Sequence, residues 1–496
     1  MSFVILYAEV LQSSSFQCHR ADETSMADNH RDFELEHKLK VIKETILAEL
    51  PSYLATASGT RTKHHSKEDK PAYRVLDCYV KLADHFQLAF HAASVMYEAV
   101  INLEHNDNQK QHYVIVKTMP DSAVIRKLQN SPDLFFNEIK AYSEFIPMLL
   151  QTCAVSSGGD LNVERPLRNL SAAKDLFPKC YCVAGDSGNE MIVLQNLRIF
   201  GYGTGGDKLM SMDYEHIVVA LEGLARFHAL SYGTKKKDFR SFEERVIAQI
   251  RDPRRFVKQQ TTSDAMTEGY QICLGHTAMM VFDKFNEKQL EEGGLYTEKL
   301  KRVRRRVENC AELIRELLMP EEPLAVLCHG DFNRNNIMFR CDSDNKPCDV
   351  KFIDFQTPFY ASPAIDLSFL LFVNASPELW ATRWNDMFSV YHRTILDALS
   401  EFLNCSQETL QHEFSREAFE CQFSKYMLYG FLLATSFIVA NAEDPDKLKV
   451  FELFNDGVPT VEELFNVMEK ALELAGAEVL GRVLSLTKEM LDRISP

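Results

Sequence analysis

The chain of 496 residues is long enough for two large lobes or for two to three ordinary domains. Its 46% hydrophobic and 25% charged residues are those of a soluble globular protein. The formal net charge of −16 excludes nucleic acid as the main partner, since a phosphate backbone needs a basic face. The twelve cysteines follow no metal-site rhythm: Cys180-x-Cys182 has the wrong spacing for a zinc pair, and no second pair completes it. Reduced thiols in a cytoplasmic protein are the expectation. Residues 1–7 are apolar, but Glu9 interrupts them and no basic segment precedes, so no signal peptide is expected.

In chain order, residues 1–40 are polar and mixed and are expected to form a disordered extension, although a helix-like run covers 33–50. Residues 60–70 form a second polar loop. A hairpin follows: strand 95–103, a turn at 105–108, and a returning strand at 112–117. Ser131-Pro132 signals a helix start, and Phe135, Ile139, Tyr142 and Ile146 recur behind it at helical spacing. Strands 95–103, 112–117 and 191–194 are expected in one antiparallel sheet with the helix 132–146 packed on it. The glycine-rich residues 201–206 read as a hinge, and from Tyr214 onward the chain is mainly helical. Leu300, Val303, Val307, Cys310, Ile314 and Leu317 form one apolar stripe on one expected helix, with Lys301, Arg302 and Arg304 to Arg306 on its solvated face. Residues 426–442 carry no charge, but they are a little short for a membrane span and have a polar rim, so a buried core helix is expected.

The chemistry is carried by His329-Gly330-Asp331-Phe332-Asn333-Arg334-Asn335-Asn336, which has the spacing H-x-D-x-x-x-x-N. An apolar strand at 324–327 leads into it and another at 337–339 leaves it. A turn at 342–346 and a strand at 350–353 then end on Asp354-Phe355-Gln356. Phosphoryl transfer needs a carboxylate to orient the acceptor hydroxyl and take its proton, and oxygen ligands for Mg²⁺. Asp331 suits the first role, and Asn336 and Asp354 suit the second. Upstream, Lys117 ends the strand Val114-Ile115-Val116 as a phosphate-pairing lysine would, with Glu138 on the next helix as its ion-pair partner. A protein kinase is disfavoured: the loop lacks the arginine of H-R-D, Asp-Phe-Gln replaces D-F-G, and no A-P-E follows.

With these residues in view, the chain resembles the ecdysteroid kinase-like (CHK kinase-like) family, neighbour to the aminoglycoside phosphotransferases and choline kinases. The likeness rests on residues 136–142, 192–197, 224–229, 328–339 and 352–370. The resemblance implies an α+β, two-lobed protein-kinase-like fold. After the extension at 1–40, it gives a nucleotide-binding N-lobe with a five-stranded sheet at 41–195 and a mainly helical C-lobe at 196–496. It also implies ATP and Mg²⁺ as cofactors and a small-molecule alcohol, ecdysteroid-like or xenobiotic, as acceptor. It places Ser94, Leu194, Asn196 and Leu197 around the nucleotide and gives Asp366 the role of bracing the catalytic loop. His228 is expected to be a packed helix residue. Three departures stand out: residues 90–94 lack the family's glycine, Leu194-Gln195-Asn196-Leu197 lacks two usual carboxylates, and Asn333 replaces a frequent tryptophan. The alternative they raise is a pseudokinase that binds or scaffolds.

Overall fold

The computed structural model describes residues 24–57, 73–83, 94–105, 108–120, 122–123, 126, 130–154, 167–185, 190–205, 211–251, 262–291, 293–441 and 460–495. The expected loop at 60–70, the phosphate loop at 90–93, the turn residues 106–107 and Gly206 lie outside them. The chain divides into two compact units, with boundaries at 139/140, 177/178 and 201/202 among the described residues, where the sequence set divisions at 40/41 and 195/196.

The first unit is built on a five-stranded antiparallel sheet. Its strands are β1 (Tyr73–Leu82), β2 (Val95–His105), β3 (Asn108–Thr118), β4 (Cys180–Ala184) and β5 (Met191–Gln195), in the order β1-β2-β3-β5-β4. The β2–β3 register runs from Val95↔Thr118 to His105↔Asn108, and Lys117 faces Ile192 across β3–β5. Alternation sorts the strand residues: Tyr97, Ala99, Ile101, Leu103, Val114, Val116 and Val193 all enter one apolar cluster. The helix Thr24–Ala57 covers that face through Ile42, Ile46 and Leu50, with Leu35 and Leu39 half-buried against the same cluster.

Two expectations change here. The stretch 1–40 is helical from Thr24 in the described residues, because its apolar side chains recur at helical spacing and find the sheet. Thr24–Ala57 therefore covers one face of the sheet, and the segment expected as a helix at 132–146 meets β3 where Glu138 reaches Lys117. That segment runs as Ser131–Lys140, then a π-helical turn Ala141–Phe145, then Ile146–Ala154.

The second unit is mainly helical. The apolar helix Arg416–Asn441 is long enough to cross a membrane, but the most apolar 18-residue stretch around it is 89% buried, as a core helix should be. The expected single helix over 300–317 is two, Thr297–Val307 and Cys310–Leu317, separated where Asn309 adopts φ −111° and ψ 66°. The Asn309 amide bonds Glu312 locally, an alternative to helix that short polar side chains offer. All six stripe residues are nonetheless buried. Two small sheets sit among the helices: β6 (Tyr202–Thr204), β8 (Ile337–Cys341) and β9 (Pro347–Phe352) in the order β6-β8-β9, and β7 (Val326–Cys328) with β10 (Phe359–Ala361).

Candidate active site

In the sheet unit, Lys117 and Glu138 meet. Lys117 Nζ lies 2.6 Å from Glu138 Oε2, with the side chains only 6% and 1% exposed. Such a pair forms where strand and helix bring two long side chains together, here β3 and the helix Ser131–Lys140, whose Leu134 and Phe135 are buried. Along β5 and beyond, Leu194, Asn196 and Leu197 are buried, and Ser94, just ahead of β2, is buried too. Asn196 acts locally, since its side chain accepts from Arg198 N at 3.2 Å and caps the turn Leu197–Phe200. That turn ends on Gly201 at φ +80°.

In the helical unit, the fully buried strand β7 delivers His329-Gly330-Asp331. Gly330 has φ +85°, and a Cβ there would lie 1.9 Å from Thr357 O, so no other residue fits this backbone. The two backbone N–H groups at the bend are received by Asp366, from the first turn of the helix Ala364–Asn374. His329 N donates to Oδ2 at 2.6 Å and Gly330 N to Oδ1 at 2.9 Å. Below it, His228 Nε2 lies 3.2 Å from Asp366 Oδ2 and His228 Nδ1 lies 2.7 Å from Tyr391 Oη. Burial pushes the Tyr391 hydroxyl well above its usual range, so it stays protonated and donates. His228 Nδ1 is then the acceptor and Nε2–H the donor to Asp366.

His329 is fixed in the same way. Its Nδ1 accepts from Asp331 N at 3.4 Å, which leaves Nε2–H to donate to Ile353 O at 2.9 Å. Ile353 N returns a bond to Asn336 O at 3.1 Å, so the β8–β9 hairpin carries Asp354 back to the loop. Asp354 sits at φ +66°, a left-handed backbone that few non-glycine residues adopt and that concentrates at functional sites. Gln356 Nε2 donates to Asp354 Oδ2 at 3.1 Å.

Asp331 itself is buried and held by two side-chain amides. Asn336 Nδ2 donates to its Oδ2 at 3.0 Å and its main-chain O at 2.8 Å. Asn333 Nδ2 donates to Oδ1 at 3.0 Å. Burial raises the Asp331 carboxyl above the ordinary carboxylate range and the Asp354 charge adds to this, while donation from Asn336 opposes it. The predicted residues thus form two groups in two units: Lys117 with Glu138, and Asp331 with Asn336 and Asp354.

The donor set fits Mg²⁺. Both N–H groups of Asn336 turn to Asp331, leaving the amide oxygen, and Asp354 supplies a carboxylate; both are hard oxygen donors. Sequence reasoning did not assign Tyr391, nor the bonds of Asn333 and Gln356 to the two carboxylates. His228 and Asp366 lie 138 residues apart, so no local spacing signals their pairing.

The sequence matches the ecdysteroid kinase-like family over residues 90–403. Solved structures similar to the chain include an ethanolamine kinase from Plasmodium vivax, at 10% identity over 80% of this chain and 81% of that one, TM-score 0.31. A GDP complex of an aminoglycoside 2′-phosphotransferase variant matches at 11% identity over 86% and 96%, TM-score 0.33. A microcompartment-associated aminopropanol kinase matches at 10% identity over 88% and 99%, TM-score 0.30. No curated relative matches the chain. The family match, with the chain's own sheet, catalytic-loop hairpin and helices, gives the fold class as α+β and protein-kinase-like.

Proposed function

The chain belongs to the ecdysteroid kinase-like family, and on that premise we propose that it transfers the γ-phosphoryl group of ATP to a hydroxyl of a small molecule, an ecdysteroid-like or xenobiotic alcohol. The observation that carries this reading is the Asp331 carboxylate, buried and held at both oxygens by amides, with Asp354 stitched beside it through Ile353 and Asn336. Asp331 orients the acceptor and receives its proton as the acceptor oxygen bonds the γ-phosphorus. The bond from that phosphorus to the β–γ bridging oxygen breaks, and ADP leaves. Lys117, oriented by Glu138, binds the phosphates. Asn336 and Asp354 would hold Mg²⁺, which supplies neutralisation of the phosphate charge when bound. Because Asp366 and Gly330 fix the loop backbone, Asp331 meets the acceptor pre-positioned.

The test is ADP formation from ATP and Mg²⁺ across a panel of steroid, amino and simple aromatic alcohols, with Asp331→Asn beside the wild type. Some alcohol should be phosphorylated, and Asp331→Asn should lower kcat by about 10²–10⁴-fold with little change in KM for ATP. Equal rates for both proteins would remove Asp331 from the mechanism, and a wild type silent on every alcohol would favour a binding role.

A further inference from the structure

Asn333 supplies one of the two amides on Asp331, yet phosphoryl transfer as proposed above gives it no role of its own. It is 1% exposed, although it lies in the loop that must meet solvent-borne substrates. Its side chain points two ways at once. Oδ1 accepts the backbone N–H of Asn335 at 3.0 Å, which caps the short turn Arg334–Asn336. That bond settles which end of the amide is oxygen, so the end facing Asp331 is the N–H₂ group. Nδ2 donates to Asp331 Oδ1 at 3.0 Å and to Asp331 O at 3.2 Å. Asn336 repeats the arrangement from the other side, donating to Asp331 Oδ2 at 3.0 Å and to the same main-chain O at 2.8 Å. Each carboxylate oxygen therefore carries one amide donor, and both donors are tied to the loop backbone.

We propose that Asn333 is a positioning residue for phosphoryl transfer: with Asn336 it clamps the Asp331 carboxylate so that the plane offered to the acceptor hydroxyl is set before substrate arrives. This rests on Asp331 being the base. Donors at both oxygens resist rotation of the carboxylate about its Cβ–Cγ bond, and a misplaced reacting group of about 1 Å lowers rates by about 10²-fold.

The two bonds of Asn333 separate by substitution. Asn333→Asp keeps the shape and the acceptor that caps Asn335 but replaces the donor to Asp331 with a second acceptor. Asn333→Ser removes more atoms but keeps an acceptor and adds a rotatable hydroxyl donor. Full-length wild type and both variants are assayed with ATP, Mg²⁺ and an alcohol drawn from the panel, and melting temperatures are measured alongside. Asn333→Asp should lower kcat about 10- to 100-fold with KM for ATP within about twofold and the melting temperature nearly kept, and Asn333→Ser should retain more kcat than Asn333→Asp. A residue that merely packs gives the reverse order, since aspartate is the closer match in shape; that order, or kcat falling in step with melting temperature, overturns the proposal. If Asn333→Asp does not fold, Asn333→Ser against Asn333→Ala decides: serine must exceed alanine in kcat at equal KM, and equality overturns it. If wild type phosphorylates no alcohol, the kinase reading fails and the clamp is judged by a crystal structure of Asn333→Asp. There the Asp331 carboxylate should rotate while the Asn335 cap persists, and an unmoved carboxylate refutes the clamp.

Discussion

The two groups of charged residues are held in opposite ways. Lys117 and Glu138 hold each other: one contact of 2.6 Å between opposite charges, both buried, set on a strand and a helix of the sheet unit. Three carboxylates at the loop of the helical unit are held instead by amide, backbone and ring N–H groups. Asp331 takes two amides, Asp354 takes Gln356, and Asp366 takes two backbone N–H groups and the His228 ring. A buried ion pair fails when either partner is removed, because the other is left charged in an apolar bed. A carboxylate among several amides keeps most of its support when one is lost, so there function can be damaged without the fold.

Four experiments would break or sharpen that contrast, taken from the largest expected effect. Asp354→Ala should lower Mg²⁺-dependent turnover by about 10³-fold or more with the fold kept, since metal neutralisation of phosphate charge contributes several kcal/mol. A kcat within tenfold of wild type would sink its assignment as a ligand. Glu138→Ala should destabilise by about 3–5 kcal/mol in urea unfolding, because Lys117 loses the carboxylate at 2.6 Å. A change under about 1 kcal/mol would mean that Glu138 is not what holds the Lys117 charge. The third experiment compares glycines. Gly330→Ala places a methyl group against Thr357 O and should cost about 3 kcal/mol or more, whereas Gly201→Ala meets nothing within 4 Å and should cost about 1 kcal/mol for its positive φ alone. Equal melting temperatures for the two variants would contradict the tight bend. Last, Tyr391→Phe leaves His228 Nδ1 without its donor and should cost about 1–2 kcal/mol while kcat stays within a fewfold. A large loss of kcat at unchanged stability would move Tyr391 into the reaction itself.

The hairpin at 95–118 is readable from the sequence because alternation of apolar residues is a local property, and it survives in the register Val95↔Thr118. The apolar run at 426–442 reads as a core helix from its polar rim, but the helix it belongs to is long and apolar enough to cross a membrane, and the 89% burial of its most apolar stretch decides for the core. The helix Thr24–Ala57 is readable over 33–50, but its reach back to Thr24 and the sheet that Leu35, Leu39, Ile42, Ile46 and Leu50 cover are not, because that sheet is built from residues far along the chain. The break at Asn309 escapes for the opposite reason: the apolar stripe continues through it, and only backbone geometry records the interruption.

By itself the sequence singled out the candidate site residues. His329, Asp331, Asn336 and Asp354 sit within one hairpin, so their spacing along the chain is nearly their spacing in space, and the order of Lys117, Glu138 and this loop follows from chain direction alone. The tertiary structure decided how those groups are held. Asp366 reaches back to a loop 36 residues earlier, His228 meets Asp366 across 138 residues and Tyr391 across 163, and the orientation of Asn333 depends on a cap that exists only once the turn has formed. Such contacts join residues whose separation along the chain is arbitrary. No period or motif encodes them, and they appear only when burial removes water and each polar group must find a partner inside the protein.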